Sequence, residues 1–229
     1  MQEKVLGILL AGGQGSRMEA SVNKVLLPVA GIPCIARSAK ALSGFTDHLI
    51  LVYHAGEEAG LKSALDRFPP DCSWSLVQGG ETRQESVFHG IRKASEAYPG
   101  ETVILIHDGA RCLVSSEVIQ SVLSSVRRHG SGIAAVPVTD TIRFASEDGR
   151  TGETVPRAGL YAMQTPQGGR LNMLLDAFEK AAQDGFLGTD DAAVLSHAGY
   201  PVYLASGSRQ NLKLTVREDL AAAEALLSG

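Results

Sequence analysis

The chain alternates short apolar runs with longer stretches in which apolar residues recur every three or four positions. The short runs are nearly continuous in hydrophobic residues, which is typical of strands that are covered on both faces of a sheet. The pattern therefore predicts strands at Val5–Leu10, His48–Tyr53, Trp74–Val77, Val103–Ile106, Gly132–Val136 and Val202–Leu204.

Amphipathic helices are predicted between these strands. The clearest apolar stripe consists of Val118, Ile119, Val122, Leu123 and Val126. Two helix starts have the capping-box pattern, Thr82 with Glu85 and Thr215 with Glu218. The alternation of strands and helices predicts an α/β fold, in which a single Rossmann-like domain over residues 1–229 has a mostly parallel central sheet with helices on both faces.

Residues 139–157 interrupt this alternation and predict a protruding β-hairpin arm. Thr139–Phe144 and Thr151–Pro156 are β-prone, and the turn-forming residues Ser146–Gly149 lie between them. A hairpin with few core residues needs a partner for its apolar side, so we expect a homodimer contact through this arm. From composition alone, a solvated excursion is nearly as well supported as a dimer contact.

Composition and charge narrow the classes of function. Hydrophobic residues make up 44% of the 229 residues, enough for one core, and the net charge of −4 argues against a nucleic-acid binder. No apolar run reaches the length of about 18 residues that a membrane span requires, and no signal peptide is evident, so we expect no membrane partner and a cytoplasmic location. The spacing of Cys34, Cys72 and Cys112 does not suit a metal site, which favours reduced, non-catalytic thiols.

A glycine-rich segment follows the first predicted strand and suggests a phosphate site. The segment Ala11–Met18 reads AGGQGSRM. Glycines at the carboxyl end of a strand allow backbone N–H groups to approach phosphates, and Arg17 and Lys24 add a guanidinium and an ammonium group. The Walker pattern is absent, and Met18 occupies the position where a dinucleotide-binding fingerprint needs glycine.

Four segments together carry a resemblance to a known family. Leu10–Val29, reading LAGGQGSRM to NKVLLPV, resembles the opening of nucleotidyltransferases that make activated sugars. Gln78–Val87, His107–Arg111 and Thr165–Gln167 narrow the match. In this order they resemble the 2-C-methyl-D-erythritol 4-phosphate cytidylyltransferases of non-mevalonate isoprenoid synthesis, and the resemblance extends from Val5 to about Leu227.

The resemblance implies a Mg²⁺-dependent enzyme that joins CTP to methylerythritol phosphate, a sugar-alcohol phosphate, and releases pyrophosphate. It implies that Arg17 and Lys24 act on the triphosphate and its transition state, and that Asp108, at the end of a buried strand, holds the metal. The implied nucleotide-binding residues are Ala11, Gly12, Gly13, Gly15, Gly80, Glu81, Ser86 and Asp108. The implied substrate-binding residues are Arg111, Thr141, Arg157, Thr165 and Lys213, with Thr141 and Arg157 acting across a dimer interface.

The chain departs from the family pattern at several positions. Gly109 replaces the usual alanine, Cys112 the usual proline, and Gln210 the usual aspartate before Asn211. His107 is assigned a structural role. The segment Thr189–Ala192 fits a family helix start and is explained equally well as a plain N-cap.

Other functions stay open from the residues themselves. A ribitol-5-phosphate cytidylyltransferase would share the nucleotide half of the site. A guanylyl- or thymidylyltransferase would share the glycine loop, although the Gly80–Ser86 segment argues against it. A non-catalytic CTP-binding sensor would bind CTP tightly without releasing pyrophosphate.

Overall fold

A computed structural model describes residues 3–12 and 23–228, and the account of the structure covers these ranges. The strands are β1 (Val5–Leu10), β2 (Pro28–Val29), β3 (Ile32–Pro33), β4 (His48–Tyr53), β5 (Ser73–Gln78), β6 (Val103–Asp108), β7 (Ser131–Pro137), β8 (Ile142–Ala145), β9 (Thr151–Val155), β10 (Tyr161–Arg170) and β11 (Leu204–Ser206). The helices are α1 (Cys34–Ser43), α2 (Glu58–Arg67), α3 (Arg83–Ser95), α4 (Ser116–His129), α5 (Leu171–Asp184), α6 (Asp191–His197) and α7 (Arg217–Ser228), with a 3₁₀ turn at Lys24–Leu26.

The central sheet is mixed and mostly parallel. Its seven described strands lie in the order β11-β7-β10-β6-β1-β4-β5. Strand β10 runs antiparallel to both of its neighbours, β6 and β7, and every other pairing in the sheet is parallel. The predicted α/β fold class with a mostly parallel sheet is confirmed.

Two apolar layers cover the sheet, one on each face. Along β1, Val5 and Leu9 pack with residues of α1, α2 and α4, whereas Leu6, Ile8 and Leu10 pack with residues of α3, α5 and α6. This alternation explains why the strand reads as a continuous apolar run, since both faces are buried. It also confirms the prediction of helices on both sides. The predicted stripe of α4 is buried in the first layer.

The sequence pattern misplaced one strand and missed another. The strand expected at Val202–Leu204 lies at Leu204–Ser206, where its residues pair with the segment from Ile133 to Ala135. The Thr165–Gln167 motif lies within β10, which continues to Arg170 and is absent from the strands that the apolar runs predict. The glycines that follow, Gly168 and Gly169, conceal the strand in the sequence. They are required because α4 and α5 pack closely, and a Cβ atom on Gly168 would lie 2.8 Å from Val126 Cγ2.

One of the two predicted capping boxes forms. Glu85 N donates to Thr82 Oγ1 at 3.1 Å, and Thr82 N donates to Glu85 Oε2 at 3.2 Å. The second prediction, Thr215 with Glu218, is wrong, because α7 begins at Arg217 and Asp219 receives the hydrogen bonds instead. Thr215 N and Val216 N both donate to Asp219 Oδ2, at 2.6 and 2.9 Å.

The predicted hairpin is present as β8 and β9, which pair antiparallel. Its turn is closed by Ser146 N donating to the Arg150 carbonyl at 3.0 Å, and Gly149 adopts a φ of 81° that favours glycine. All residues of β8 are exposed, including Phe144 at 70%. No helix in the described ranges is long and apolar enough to cross a membrane.

Candidate active site

A cavity of about 400 Å³ opens where β1, β4 and β5 end. Carboxyl ends of parallel strands are the usual ligand sites of open α/β sheets. The walls come from the end of β1, from the residues after β4, and from the segment between β5 and α3. The lining residues are Leu10, Gly12, Tyr53, His54, Gly80, Glu81, Thr82, Arg83 and Ser86. The structure therefore brings Gly12 of the glycine-rich segment to the Gly80–Ser86 segment, which carries three other residues that are predicted to bind the nucleotide.

The turn before α3 is tightly closed. Gly80 N donates to Ser86 Oγ at 3.2 Å, and Glu81 N donates to Glu85 Oε2 at 2.7 Å. A Cβ atom on Gly79 would lie 2.6 Å from Ser86 Oγ, so glycine is needed for this approach. The predicted nucleotide-binding residues Gly80, Glu81 and Ser86 thus share one cavity wall, with their backbone fixed by the helix start.

Asp108 ends β6 and lies among basic side chains. Its carboxylate is 2.8 Å from Lys213 Nζ, 3.4 Å from Arg83 Nε and 3.9 Å from Arg111 Nε. Burial raises the pKa of Asp108, but the charges of Arg83, Lys213 and Arg111 outweigh it and hold the pKa well below its usual range. Asp108 is therefore a carboxylate at any physiological pH. Three predicted site residues, Asp108, Arg111 and Lys213, meet here.

Arg83 and Asp191 belong to the same site but were not assigned from the sequence. Both terminal nitrogens of Arg83 donate to the Asp191 carboxylate, each at 2.9 Å. Asp191 is 1% exposed, and burial raises its pKa while the bidentate Arg83 opposes that effect. Arg83 also contacts Asp108 and lines the cavity, so it connects the base-binding turn to the central carboxylate.

The loop that carries Lys213 is anchored by its neighbours. Asn211 is fully buried, and its Nδ2 donates to the Thr165 carbonyl at 2.8 Å. The Asn211 carbonyl accepts from Arg111 Nη1 at 2.7 Å, and Leu214 N donates to the Ala110 carbonyl at 2.9 Å. The departure at Gln210 therefore leaves the anchors of Lys213 in place. Among the described residues, Arg111 Nε and Asn211 Oδ1 are buried without a hydrogen-bond partner, which suits a polar ligand at this point.

His107 and Thr165 form a buried hydrogen-bond relay behind Asp108. His107 Nε2 lies 3.1 Å from the Arg111 carbonyl, which can only accept, so this nitrogen carries the hydrogen. Thr165 Oγ1 then donates to His107 Nδ1 at 3.1 Å and accepts from Asp108 N at 3.0 Å. This agrees with the structural role predicted for His107. Because Thr165 is 3% exposed and its hydrogen is used internally, its predicted contact with substrate stays a prediction.

We expect protonation of His107 to destabilise the fold at acidic pH. Burial, the largest cause, lowers the pKa of His107 from 6.5 to about 4. Between pH 6.5 and pH 4, His107 therefore binds a proton in the unfolded chain but not in the folded one. The contribution of neutral His107 to the free energy of unfolding is complete above pH 6.5 and declines as the pH falls towards 4. The effect is on the order of 3 kcal/mol. Urea unfolding from pH 7.5 to pH 4.5 measures it. A His107→Gln control should have a smaller slope, and equal slopes would contradict the prediction.

Lys24 is positioned by the residue before it. Asn23 Nδ2 donates to the Ala11 carbonyl and to Glu57 Oε2, both at 2.7 Å, so the start of the 3₁₀ turn is tied to the end of β1. Burial raises the pKa of Asp219, whereas hydrogen bonds from Thr215 and Val216 and the nearby charge of Lys24 lower it. Lys24 is therefore close to Asp219 in the first turn of α7. Of the other predicted residues, Gly13, Gly15 and Arg17 lie outside the described residues.

Two predicted substrate-binding residues lie on the arm. Thr141 and Arg157 are exposed at its base, and Arg157 Nη1 donates to the Thr139 carbonyl. The described contacts do not join either side chain to Asp108. Their predicted role requires the arm of a second chain, and it stays a prediction.

The donor set at Asp108 is compatible with Mg²⁺. Magnesium in nucleotide sites is usually held by one or two carboxylates together with phosphate oxygens and water. In the described part of the chain, no cluster of three or more His, Cys, Asp or Glu side chains could form a metal site of protein ligands. Asp108 Oδ1 has its contact with Arg83 at 3.4 Å, which is long for a charged hydrogen bond, so this oxygen can serve as a single protein ligand.

Gly109 shows how closely this site is packed. A Cβ atom at this position would lie 2.7 Å from the Leu10 carbonyl oxygen and 2.5 Å from Ile35 Cδ1. Gly109 N donates to the same Leu10 carbonyl at 2.8 Å, so the strand ends of β1 and β6 are held together here. Glycine at 109 is thus required by the close approach of two backbones.

Solved structures with this fold define the class of the protein as a nucleotidyltransferase. The chain is similar to the 4-diphosphocytidyl-2C-methyl-D-erythritol synthase of Anaerococcus prevotii, with a TM-score of 0.83 and 26% identity over 99% of this chain and 97% of that one. It is also similar to the 2-C-methyl-D-erythritol 4-phosphate cytidylyltransferase of Thermus thermophilus, with a TM-score of 0.79 and 29% identity over the full length of both chains.

Sequence comparison narrows the class to a family. The family described as IspD, 2-C-methyl-D-erythritol 4-phosphate cytidylyltransferase, matches residues 5–229. The enzymes of that name from Bacillus licheniformis and Geobacillus kaustophilus are each 39% identical over 96% of this chain, covering 94% and 96% of the relatives. The chain belongs to the 2-C-methyl-D-erythritol 4-phosphate cytidylyltransferase family and is a CTP-dependent nucleotidyltransferase. The resemblance seen in the sequence is confirmed.

Proposed function

We propose that the enzyme joins CTP and 2-C-methyl-D-erythritol 4-phosphate to give 4-diphosphocytidyl-2-C-methyl-D-erythritol and pyrophosphate, in non-mevalonate isoprenoid synthesis. A phosphate oxygen of the sugar alcohol attacks the α-phosphorus of CTP, and the bond from that phosphorus to the departing pyrophosphate breaks. The nucleophile is already ionised, so a strong general base is not required. The main task of the protein is to bring two anions together and to stabilise the charge that develops.

The convergence of Arg83, Arg111 and Lys213 on Asp108, beside a cavity that Gly12 and the Gly80–Ser86 turn both line, carries this proposal. The cavity wall receives the cytosine, and the bare backbone at Gly12 faces the phosphates. Arg17 and Lys24 act on the triphosphate. Arg111 and Lys213 hold the sugar phosphate in line, together with Thr141, Arg157 and Thr165.

Asp108 would hold Mg²⁺ through Oδ1, and the ion would neutralise charge on the triphosphate. The basic side chains around Asp108 then have two functions. They keep the carboxylate ionised before the nucleotide binds, and they offer N–H donors to the phosphate oxygens afterwards. Lys213 is suited to change its partner from Asp108 to a phosphate oxygen, because its side chain is 40% exposed while that of Asp108 is 10% exposed.

The proposed reaction is tested by measuring pyrophosphate release with CTP and Mg²⁺. Methylerythritol phosphate should support turnover, and ribitol 5-phosphate should be a much poorer substrate. Replacing CTP with GTP or dTTP should abolish the reaction if the Gly80–Ser86 turn selects cytosine. Faster turnover with ribitol 5-phosphate would favour the ribitol enzyme, and tight CTP binding without pyrophosphate release would favour a sensor. The cytoplasmic location stays a prediction.

A second part of the proposal is that the arm mediates a homodimer. Ile142 and Phe144 are 40% and 70% exposed and lie on the same face of β8. Tyr161 and Met163, at the exposed end of β10, add 41% and 43% exposed apolar side chains near the arm base. In a dimer, the arm would present Thr141 and Arg157 to the site of the second chain.

Phe144→Asp is expected to convert the dimer to monomer, because it places a charge in the apolar face of the arm. Sedimentation velocity at micromolar concentration measures the change. Arg143→Ala, on the opposite face of β8, is the matched control and should remain dimeric. A parent protein that sediments as a monomer would refute the proposed dimer, and a dimeric Phe144→Asp variant would show that the arm does not form the interface.

A further inference from the structure

Cys34 and Cys112 lie side by side beneath the Asp108 segment. Cys34 is the first residue of α1 and is fully buried, and Cys112 is 6% exposed in the same apolar cluster. The Cys34 thiol has a single hydrogen. It donates to the Gly109 carbonyl oxygen at 3.1 Å, and the Cys112 side chain packs in the same small cluster. Disulfide formation requires sulfurs that can meet without large backbone movement, and these two side chains share one small buried cluster.

The two thiols differ in their access to solvent. Cys112 lines a cavity of about 530 Å³ that α1 and the end of α2 form, with Arg37, Lys40 and Arg67 at its walls. The interaction with the Cys34 side chain and the charge of Arg37 lower the pKa of Cys112, although burial opposes them. The interaction with Cys112, together with burial, raises the pKa of Cys34. An oxidant in the cavity therefore reaches the Cys112 sulfur, which is the more reactive of the two. The Cys34 sulfur is fully buried.

Both cysteines are joined to residues of the site. Cys112 directly follows Arg111, whose side chain contacts Asp108 and the Asn211 carbonyl. The Gly109 carbonyl accepts from Cys34 and also from Ser38 Oγ at 2.9 Å. A bond between the sulfurs would shorten their separation to about 2.05 Å, remove the thiol donor from the Gly109 carbonyl and pull on the backbone beside Arg111.

We infer that Cys34 and Cys112 are a reversible oxidation site, at which a peroxide forms a disulfide that reduces turnover by displacing the segment from Asp108 to Cys112. The Cys112 thiolate attacks the peroxide, becomes a sulfenic acid and releases hydroxide. The Cys34 thiol then displaces the sulfenic oxygen, which leaves as water. In total two thiols lose two electrons, the peroxide gains them, and two waters form. The effect on turnover rests on the proposed function, whereas formation of the bond does not.

The bond is tested on the full chain with hydrogen peroxide. After treatment, N-ethylmaleimide blocks the remaining thiols and peptide mass spectrometry maps the linkages. The expected product is one cross-linked peptide pair that contains Cys34 and Cys112, with a mass loss of two hydrogens, and dithiothreitol should reverse it. Cys72→Ser should give the same product, and Cys112→Ser should not. Absence of the linked peptides from the parent protein overturns the inference.

The consequence for the site is tested in two ways. Amide hydrogen exchange over residues 108–112 needs no substrate, and it should differ between oxidised and reduced protein in the parent and in Cys72→Ser. Pyrophosphate release should fall by about tenfold or more on oxidation and recover with dithiothreitol, and in Cys34→Ser peroxide should have no such reversible effect. If the disulfide changes neither amide hydrogen exchange nor turnover, the inference that it controls the site is overturned. A reduced parent without turnover, but with the linked peptides and altered exchange, refutes the proposed reaction and supports the thiol pair.

Discussion

Replacing Lys24 with alanine is expected to lower kcat by about two to three powers of ten, the usual loss for one preorganised donor. Asn23 fixes the start of the 3₁₀ turn to the Ala11 carbonyl and Glu57, so the position of the Lys24 backbone is set before any ligand arrives. The proposed function assigns its ammonium group to the charge that develops on the triphosphate, and such an interaction would strengthen in the transition state. Steady-state pyrophosphate release and calorimetric CTP binding measure the change.

The matched control for this prediction is Lys93→Ala. Lys93 lies on the outer face of α3 and pairs with Glu96 at 2.8 Å, with both side chains well exposed. Lys93→Ala removes the same charged side chain as Lys24→Ala, but at a position away from the site. Its kcat should stay within about twofold of the parent value, as expected for a surface pair. A folded Lys24→Ala protein with near-parent turnover would remove Lys24 from the transition state. Binding of CTP that persists while turnover falls would separate catalysis from the role of a sensor.

Replacing Arg83 with methionine is expected to lower the free energy of unfolding by about 3–5 kcal/mol, because it leaves a buried carboxylate without its partner. Asp191 is 1% exposed and accepts hydrogen bonds from both terminal nitrogens of Arg83. The same variant loses the contact with Asp108, so turnover should fall as well. Urea unfolding monitored by circular dichroism measures the stability, and Arg92→Met on the outer face of α3 is the control for the loss of an arginine.

A second variant separates the buried pair from a general defect in α3. Removing both charges, in Arg83→Met with Asp191→Leu, should recover part of the lost stability, since no charge is then left unpaired. Turnover should not recover, because Asp108 still lacks the Arg83 contact. An Arg83→Met protein within about 1 kcal/mol of the parent would show that Asp191 is neutral or otherwise compensated in the fold.

The parts of the fold that follow from regular patterns could be predicted from the sequence. β1 is buried on both faces and reads as an unbroken apolar run, and the stripe of α4 has the period of one helix face. β10 could not be recognised in full, because Gly168 and Gly169 have low strand propensity and are present where α4 and α5 pack against the sheet. Its antiparallel direction depends on long-range pairing with β6 and β7, which no local pattern encodes.

The candidate site could be predicted where one motif carries one function. Gly80, Glu81 and Ser86 form a single turn, and that turn does line the cavity. Arg83 lies inside the Gln78–Val87 motif, and Asp191 lies in the Thr189–Ala192 segment that is explained as an N-cap. Because 107 residues separate them in the sequence, neither residue indicates the other. The signal that could have found them is the second acid at the start of α6, since Asp190 caps the helix and leaves Asp191 to point inward. Asn211 was likewise concealed, because a buried amide in a loop has no local pattern.

The contact between Gly109 and the Leu10 carbonyl also bears on how this sequence could have diverged from its relatives. The alanine that is usual in the family would bring its methyl group within 2.7 Å of a backbone oxygen, which cannot rotate away as a side chain can. Alanine at this position would first require β1 and the segment after β6 to move apart. The surroundings thus determine the residue at 109, and a single change to alanine should impair the packing between β1 and the segment after β6.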